Sequence, residues 1–249
     1  MNHNSTLYIH QEIETIQGEG DLIGVPSILL RLAGCNCRCP WCDTPWSWGT
    51  KNASLVDKAG FDAFLAQMIS KFGNKTRNLM ITGGEPLLYK NNKMFHRLLN
   101  CDHFETIEIE TNGSLIDKPF LDSLPSKVKL NISPKLDVTW YLPSSEGTYT
   151  SMLANLRHIK AYGNYIFKFV NDPVYQEVME SLINGMDIDY RKVYIMPLTP
   201  NRFEVKDPDE FAKQLKDASL VTLKYCVDNG YHFVPRLHLY LWDDENEDF

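Results

Sequence analysis

Four of the six cysteines of this chain fall within eight residues, in the run Gly34-Cys35-Asn36-Cys37-Arg38-Cys39-Pro40-Trp41-Cys42-Asp43-Thr44. Cys35, Cys39 and Cys42 stand at C-x3-C-x2-C spacing, close enough on one loop for each thiolate to hold a different iron of a cubane cluster. Three such ligands leave the fourth iron without a protein donor. That iron is open to chelation by the amino and carboxylate groups of a ligand such as S-adenosylmethionine (SAM). An electron passed to the SAM sulfonium breaks a C–S bond and yields a 5′-deoxyadenosyl radical. Ordinary electron carriers use four protein ligands, so the absent fourth cysteine is informative. The competing reading is a structural zinc site with Cys37 as fourth thiolate. Four ligands within eight residues would make a cramped tetrahedron, and no second cysteine pair follows. Cys37 therefore reads as a packed thiol, and the [4Fe-4S] ligands as Cys35, Cys39 and Cys42.

A loop of this kind needs elements to hold it. Apolar or β-branched runs at 27–32, 79–82, 106–110, 128–132, 166–170 and 193–196 predict six strands, each closed by polar, Gly or Pro residues. Helical spacing joins Phe61, Phe64, Leu65, Met68, Ile69 and Phe72, and again Met152, Leu153, Leu156 and Ile159. Asp207 with Pro208 predicts the start of a further helix running toward Asn229 and Gly230. Strands alternating with helices imply parallel βα units. The expected fold class is α/β, a partial (β/α)6 barrel with the site at the C-terminal ends of the strands; a doubly wound sheet is the alternative. Residues 1–249 read as one domain with a C-terminal extension.

The unusual residues follow the predicted strands in turn. The cysteine loop follows the first, Gly83-Gly84-Glu85-Pro86 the second, Glu110-Thr111-Asn112-Gly113 the third and Ser133-Pro134-Lys135 the fourth. Lys168 falls late in the fifth, and Met196-Pro197-Leu198-Thr199 follows the sixth. In parallel α/β folds such positions share one mouth, where sites assemble. Gly83 and Gly84 let a ligand approach the backbone. Glu110, Asn112, Ser133 and Lys135 carry charge and hydrogen-bonding groups suited to SAM. Arg31 interrupts an apolar strand and calls for an anionic partner. Gln17 and Glu19, on a Gly-flanked loop, are able to read the polar edge of a ligand.

These motifs resemble the radical SAM enzymes, and among them the 7-carboxy-7-deazaguanine synthase family of queuosine biosynthesis. The resemblance rests on Thr15-Ile16-Gln17-Gly18-Glu19-Gly20, Arg31-Leu32-Ala33-Gly34-Cys35-Asn36, Cys39-Pro40-Trp41-Cys42-Asp43-Thr44 and the strand-end motifs, ending near Pro235-Arg236-Leu237-His238. It implies conversion of 6-carboxy-5,6,7,8-tetrahydropterin to 7-carboxy-7-deazaguanine with loss of ammonia, a lyase reaction initiated by hydrogen abstraction at C6. Its implied cofactors are the [4Fe-4S] cluster, SAM and Mg2+, the last on Thr44. It implies SAM contacts at Trp41, Asp43, Gly83, Gly84, Glu85, Glu110, Asn112, Ser133, Pro134 and Lys135. Substrate contacts are implied at Ile16, Gln17, Gly18, Glu19, Arg31, Thr82 and His238, with Arg31 on the substrate carboxylate. A homodimer and a flavodoxin- or ferredoxin-type reductant complete the expectation.

Composition agrees with a small-molecule enzyme. The 249 residues carry a formal net charge of −7 and a pI near 5.5, which argues against an extended phosphate-binding surface and hence against nucleic acid as partner. No cationic, apolar leader opens the chain, and no membrane-length apolar run occurs, so a cytoplasmic protein is expected. The acidic end of the chain reads as a solvated tail, and 136–147 as a lid or an inert surface loop. Two other functions compete: a radical SAM activase that installs a glycyl radical on a protein, and a zinc-stapled binding module.

Overall fold

The computed structural model describes residues 3–72, 75–143, 147–200 and 204–241. The acidic tail from Asp243 onward lies outside the described residues, as does part of 136–147. The chain divides into two compact units, one of residues 1–17 and 25–165, the other of residues 18–24 and 166–249.

The first unit is built on six strands in the order β3-β1-β2-β4-β5-β6. These are β1 (Thr6–Ile16), β2 (Pro26–Leu32), β3 (Ser54–Asp57), β4 (Asn78–Gly83), β5 (Thr106–Thr111) and β6 (Val128–Ile132). Strands β2, β4, β5 and β6 run parallel, and β1 runs antiparallel to both β2 and β3. The helices α1 (Phe61–Phe72), α2 (Lys93–Leu99), α3 (Lys118–Asp122) and α4 (Tyr149–Tyr162) connect or follow them. Side chains alternate along a strand, so register sorts the sheet into two faces. Ile28, Leu30, Leu79, Ile81, Ile107, Ile109, Val128, Leu130 and Ile132 fill one face and are fully buried. Arg31, Asn78, Thr82, Glu108, Glu110, Lys129 and Asn131 share the other. One face makes the core; the opposite face carries polar chemistry.

The second unit holds β7 (Tyr165–Asn171), α5 (Gln176–Gly185), β8 (Val193–Pro197), α6 (Pro208–Asn229), β9 (His232–Phe233) and α7 (His238–Leu241). Its strands β7, β8 and β9 pair in parallel. Helix α6 begins and ends where its residues demand. The Asp207 side chain accepts from the Asp209 and Glu210 amides, Pro208 takes the first turn, and Gly230 closes the helix in the left-handed region.

All six expected strands are present, and the architecture is the expected α/β class with a mostly parallel, open sheet. The eleven-residue β1 and the short β3 were not expected. In β1, His10, Gln11, Glu12 and Glu14 interrupt the apolar pattern, because an antiparallel strand need bury only part of its surface. Lys168 sits at the centre of β7 rather than late in it.

Candidate active site

The cysteine loop leaves the carboxyl end of β2 and is held by the backbone before any side chain acts. The Gly34 amide donates to Ser47 O at 2.8 Å, the Glu85 amide to Gly34 O at 2.7 Å and the Arg38 amide to Trp140 O at 2.7 Å. The Arg38 side chain donates to the Cys35 and Cys37 carbonyls at 3.1 and 2.7 Å. Cys35 and Cys42 are half-buried, and Cys39 and Cys37 are buried.

Cys37 is spoken for within the fold. It bridges Tyr141 through the backbone. Its Sγ lies 3.8 Å from Asn36 Oδ1 and 3.6 Å from Asn112 Nδ2. Its amide donates to Cys35 Sγ at 3.4 Å. The thiols differ accordingly. The hydrogen bond from the Cys37 thiol is the main cause that lowers the Cys35 pKa. Donating that bond, and burial, raise the Cys37 thiol. Burial pushes Cys39 up to about 11 and also raises Cys42. Lys135 lies close enough to favour the thiolates of Cys35 and Cys39; its Nζ stands 5.1 Å from the Trp41 ring centroid and donates to Ser133 Oγ at 3.3 Å. This donor set fits an iron–sulfur cluster: the thiols of Cys35, Cys39 and Cys42 lie beside the Lys135 cation, and the Cys37 thiol is engaged by Cys35, Asn36 and Asn112. Among the described residues no three His, Cys, Asp or Glu converge on a point that one ion would occupy.

The loops after β4 and β5 are locked to the cysteine loop and to each other. Glu85, 1% exposed, accepts at Oε1 from the Leu87 amide at 3.0 Å and from Thr111 Oγ1 at 2.6 Å, and at Oε2 from the Asn112 amide at 2.7 Å. Burial raises its carboxyl pKa despite these donors. Asn112 Nδ2 donates to Asn36 Oδ1 at 2.8 Å, and Asn112 Oδ1 accepts from the Ser114 amide and hydroxyl at 2.9 and 2.6 Å. Asn36 in turn donates to Ser114 Oγ at 2.9 Å. Asn36 and Ser114 thus belong to the site's framework; in the sequence Asn36 stands inside a motif with no part assigned to it, and nothing local marks Ser114. The glycines have a backbone reason. A Cβ on Gly83 would stand 2.0 Å from Leu32 O, and one on Gly84 would stand 2.0 Å from Gly34 O. Strand end and cysteine loop approach so closely that no side chain fits between them.

Of the other expected residues, Arg31, Thr82 and Glu110 share the polar face. Arg31 and Thr82 are register partners. Arg31 Nε donates to Gln11 Oε1 at 3.1 Å, and its guanidinium lies 5.5 Å from the Trp46 ring centroid. Glu110 is half-buried opposite Asn131, Ser133 and Lys135 follow β6, and Pro134 between them is buried. Thr44 Oγ1 donates to Asp43 Oδ1 at 3.4 Å and sits 3.9 Å from Cys42 Sγ. Ile16 ends β1 opposite Pro26. Gln17 is buried and its amide donates to Glu108, which also accepts from Asn131 Nδ2 at 2.9 Å. Glu108 is fully buried and escaped the sequence reading, which treated 106–110 as an apolar strand; a lone acid at a strand centre was the available signal. Trp41 Nε1 and Asn131 Oδ1 are buried without a hydrogen-bond partner among the described residues, a donor and an acceptor suited to a polar ligand.

In the second unit Gly18, Glu19 and His238 come together. Gly18 O accepts from the Leu237 amide at 2.9 Å, and a Cβ on Gly18 would meet His238 Nδ1 at 2.4 Å. Glu19 forms ion pairs with Lys168 and with Arg236, the latter at 2.8 Å.

A parallel α/β sheet with a three-thiol loop at the strand ends defines the radical SAM class, and the sequence profile of the radical SAM superfamily matches residues 30–136. The fold resembles the crystal structure of QueE from Escherichia coli, with a TM-score of 0.64 over 94% of this chain and 95% of that one at 22% identity. The chain is 33% identical to the 7-carboxy-7-deazaguanine synthase of Hyperthermus butylicus over 95% of its own length and 93% of the relative's. It is 29% identical to the enzyme of the same name from Halobacterium salinarum, covering 97% and 92%. The chain belongs to the 7-carboxy-7-deazaguanine synthase family.

Proposed function

We infer that the chain converts 6-carboxy-5,6,7,8-tetrahydropterin to 7-carboxy-7-deazaguanine with loss of ammonia, as a radical SAM lyase. The observation that carries this reading is the cysteine loop, in which Cys35, Cys39 and Cys42 gather at the end of β2 while the Cys37 backbone and thiol are engaged by Tyr141, Asn36, Asn112 and Cys35. Family membership across nearly the whole chain supports the particular substrate. Cys35, Cys39 and Cys42 would hold the [4Fe-4S] cluster, which together with SAM would supply the radical chemistry of hydrogen abstraction.

The chain's own residues position and shield. Lys135 brings positive charge beside the thiolates and, with Trp41, Ser133 and Glu110, suits the polar ends of SAM. The Glu85 clamp holds the loops after β4 and β5 in register, so that Gly83, Gly84 and Asn112 keep their places at the same mouth. Arg31, on the polar face beside Thr82, suits the substrate carboxylate, because a planar guanidinium pairs two oxygens at once. Ile16, Gln17, Gly18, Glu19 and His238 form the remaining substrate contacts in this reading. Mg2+ takes hard oxygen donors and keeps several waters; the Thr44 hydroxyl, beside the Asp43 carboxylate, suits it. A homodimer and a flavodoxin- or ferredoxin-type reductant accompany the function, and residues 1–249 act as one radical SAM domain. Among the described residues no helix is long and apolar enough to cross a membrane.

The experiment is anaerobic turnover of the reconstituted protein with SAM, Mg2+, a reductant and carboxytetrahydropterin. Formation of 7-carboxy-7-deazaguanine is the expected result. SAM cleavage without that product would return the glycyl-radical activase to the front.

A further inference from the structure

Strand β1 breaks its register opposite Arg31. Ile9 pairs with Leu32 and Gln11 with Arg31, so His10 and Gln11 together oppose one residue of β2. Such a β-bulge interrupts the alternation of side chains and re-aims one of them. Both bulge residues are spent on a single unit. Gln11 Oε1 accepts from Arg31 Nε at 3.1 Å. Arg31 Cζ lies 5.5 Å from the Trp46 ring centroid, within the range of a cation–π contact. His10 stands edge-on to the same indole, 5.1 Å between centroids and 89° between planes, and its Nε2 donates to Gly49 O at 2.8 Å. The indole in turn hangs from the cysteine loop. Trp46 lies in the 3-10 turn Pro45–Trp48. Within that turn Ser47 O accepts from the Gly34 amide at 2.8 Å, and Ser47 Oγ donates to Thr44 O at 2.8 Å. The guanidinium is thus referenced to the backbone that carries the cysteines.

We propose that Gln11 and Trp46 are positioning residues for the reaction: by holding Nε and packing the guanidinium against an indole, they aim Arg31 at the substrate carboxylate. The proposal rests on the synthase reading, in which Arg31 pairs that carboxylate, and deepens it by naming what fixes Arg31. An arginine carries a long, rotatable stem, and its fork matches a carboxylate only when the planes align. A bond at Nε sets the direction of the fork, and the ring limits its tilt. Neither contact touches the substrate, so both act through Arg31. His10 completes the arrangement by holding the indole from its edge. Trp46 is 49% exposed, so its replacement removes this contact while leaving the core of the unit intact.

The test compares wild type, Trp46→Leu, Trp46→Phe, Gln11→Leu, Arg31→Ala and the double variant Arg31→Ala/Trp46→Leu, all cluster-loaded. Two quantities are measured for each: KM for carboxytetrahydropterin, and the inhibition constant of tetrahydropterin without the carboxylate. Trp46→Leu is expected to raise KM by about 2- to 30-fold, the range of a cation–π contact. The inhibition constant of the carboxylate-free pterin and the cluster spectrum should stay as in wild type. Trp46→Phe, which keeps a ring face, should restore most of the loss. Gln11→Leu should also raise KM selectively, and it supplies the same readout should Trp46→Leu fail to fold. In the Arg31→Ala background, Trp46→Leu should add nothing, because the residue through which it acts is gone. A KM unchanged in the folded variants, equal weakening of both pterins, or a further loss in the double variant would overturn the proposal while leaving the synthase reading intact. A wild-type chain that yields no deazaguanine would overturn both.

Discussion

Glu85 offers the sharpest test of how the mouth of the site is held. Its truncation in Glu85→Ala removes one acceptor from the Leu87 amide, one from the Asn112 amide and one from the Thr111 hydroxyl. The hydroxyl is able to rotate and already accepts from the Gly113 amide at 3.1 Å, so it loses least. Each buried backbone donor left unsatisfied costs about 1–3 kcal/mol, giving about 2–6 kcal/mol for the two. Burial works the other way: it raises the Glu85 carboxyl pKa, and deleting the group recovers part of that desolvation. The net loss should fall in the lower half of the range, about 2–4 kcal/mol. For a chain of this length, 1 kcal/mol shifts Tm by about 2–4 °C, so a drop of about 5–15 °C is expected. Thermal unfolding of the cluster-free protein followed by circular dichroism measures it without interference from bound groups. Glu85→Gln retains a carbonyl for one side but sets an NH2 against a donor on the other, and should fall between wild type and Glu85→Ala. A Tm within about 2 °C of wild type for Glu85→Ala would refute the clamp, since less than about 1 kcal/mol would then hang on three hydrogen bonds.

Four further outcomes follow from the same geometry. Cys35→Ala, Cys39→Ala and Cys42→Ala should each abolish SAM cleavage, while Cys37→Ala should retain the cluster's visible absorbance and cost only stability; loss of that absorbance in Cys37→Ala would mean the ligand register is wrong. Gly84→Ala should impair cluster loading and lower Tm, because its Cβ would stand 2.0 Å from Gly34 O on the cysteine loop, and normal iron content would contradict that packing. Asn112→Ala should also lower cluster occupancy, as it removes the amide donor at 2.8 Å from the Asn36 carbonyl and the acceptor from the Ser114 amide; iron analysis after anaerobic reconstitution decides. Arg31→Ala should weaken pterin binding with cluster formation intact, and unchanged substrate affinity would remove Arg31 from the substrate site.

What the chain alone made legible follows from the range over which each signal acts. The cysteine spacing is local chemistry, and the strands β2 and β4–β8 announce themselves by short apolar runs, so both could be read directly. The capped helix α6 was equally plain, since Asp207, Pro208 and Gly230 act on their immediate neighbours. Strand β1 escaped because its pattern is broken by residues whose neighbours lie on β2 and β3, far along the chain. The partners of Gln17 and Glu19 escaped for the same reason in stronger form: Gln17 meets Glu108 across 91 residues, and Glu19 meets Arg236 across 217. The motif glycines show the converse. Their type suggested room for a ligand, whereas the nearest obstacle to a side chain is the protein's own backbone at Leu32 and Gly34. Residues that look catalytic in the sequence therefore divide in two. Some, such as Cys35 and Lys135, stand at the cysteine loop with thiol and ammonium acting on one another. Others, such as Glu85 and Asn112, spend their hydrogen bonds on the loop that carries it, and only the geometry separates the two groups.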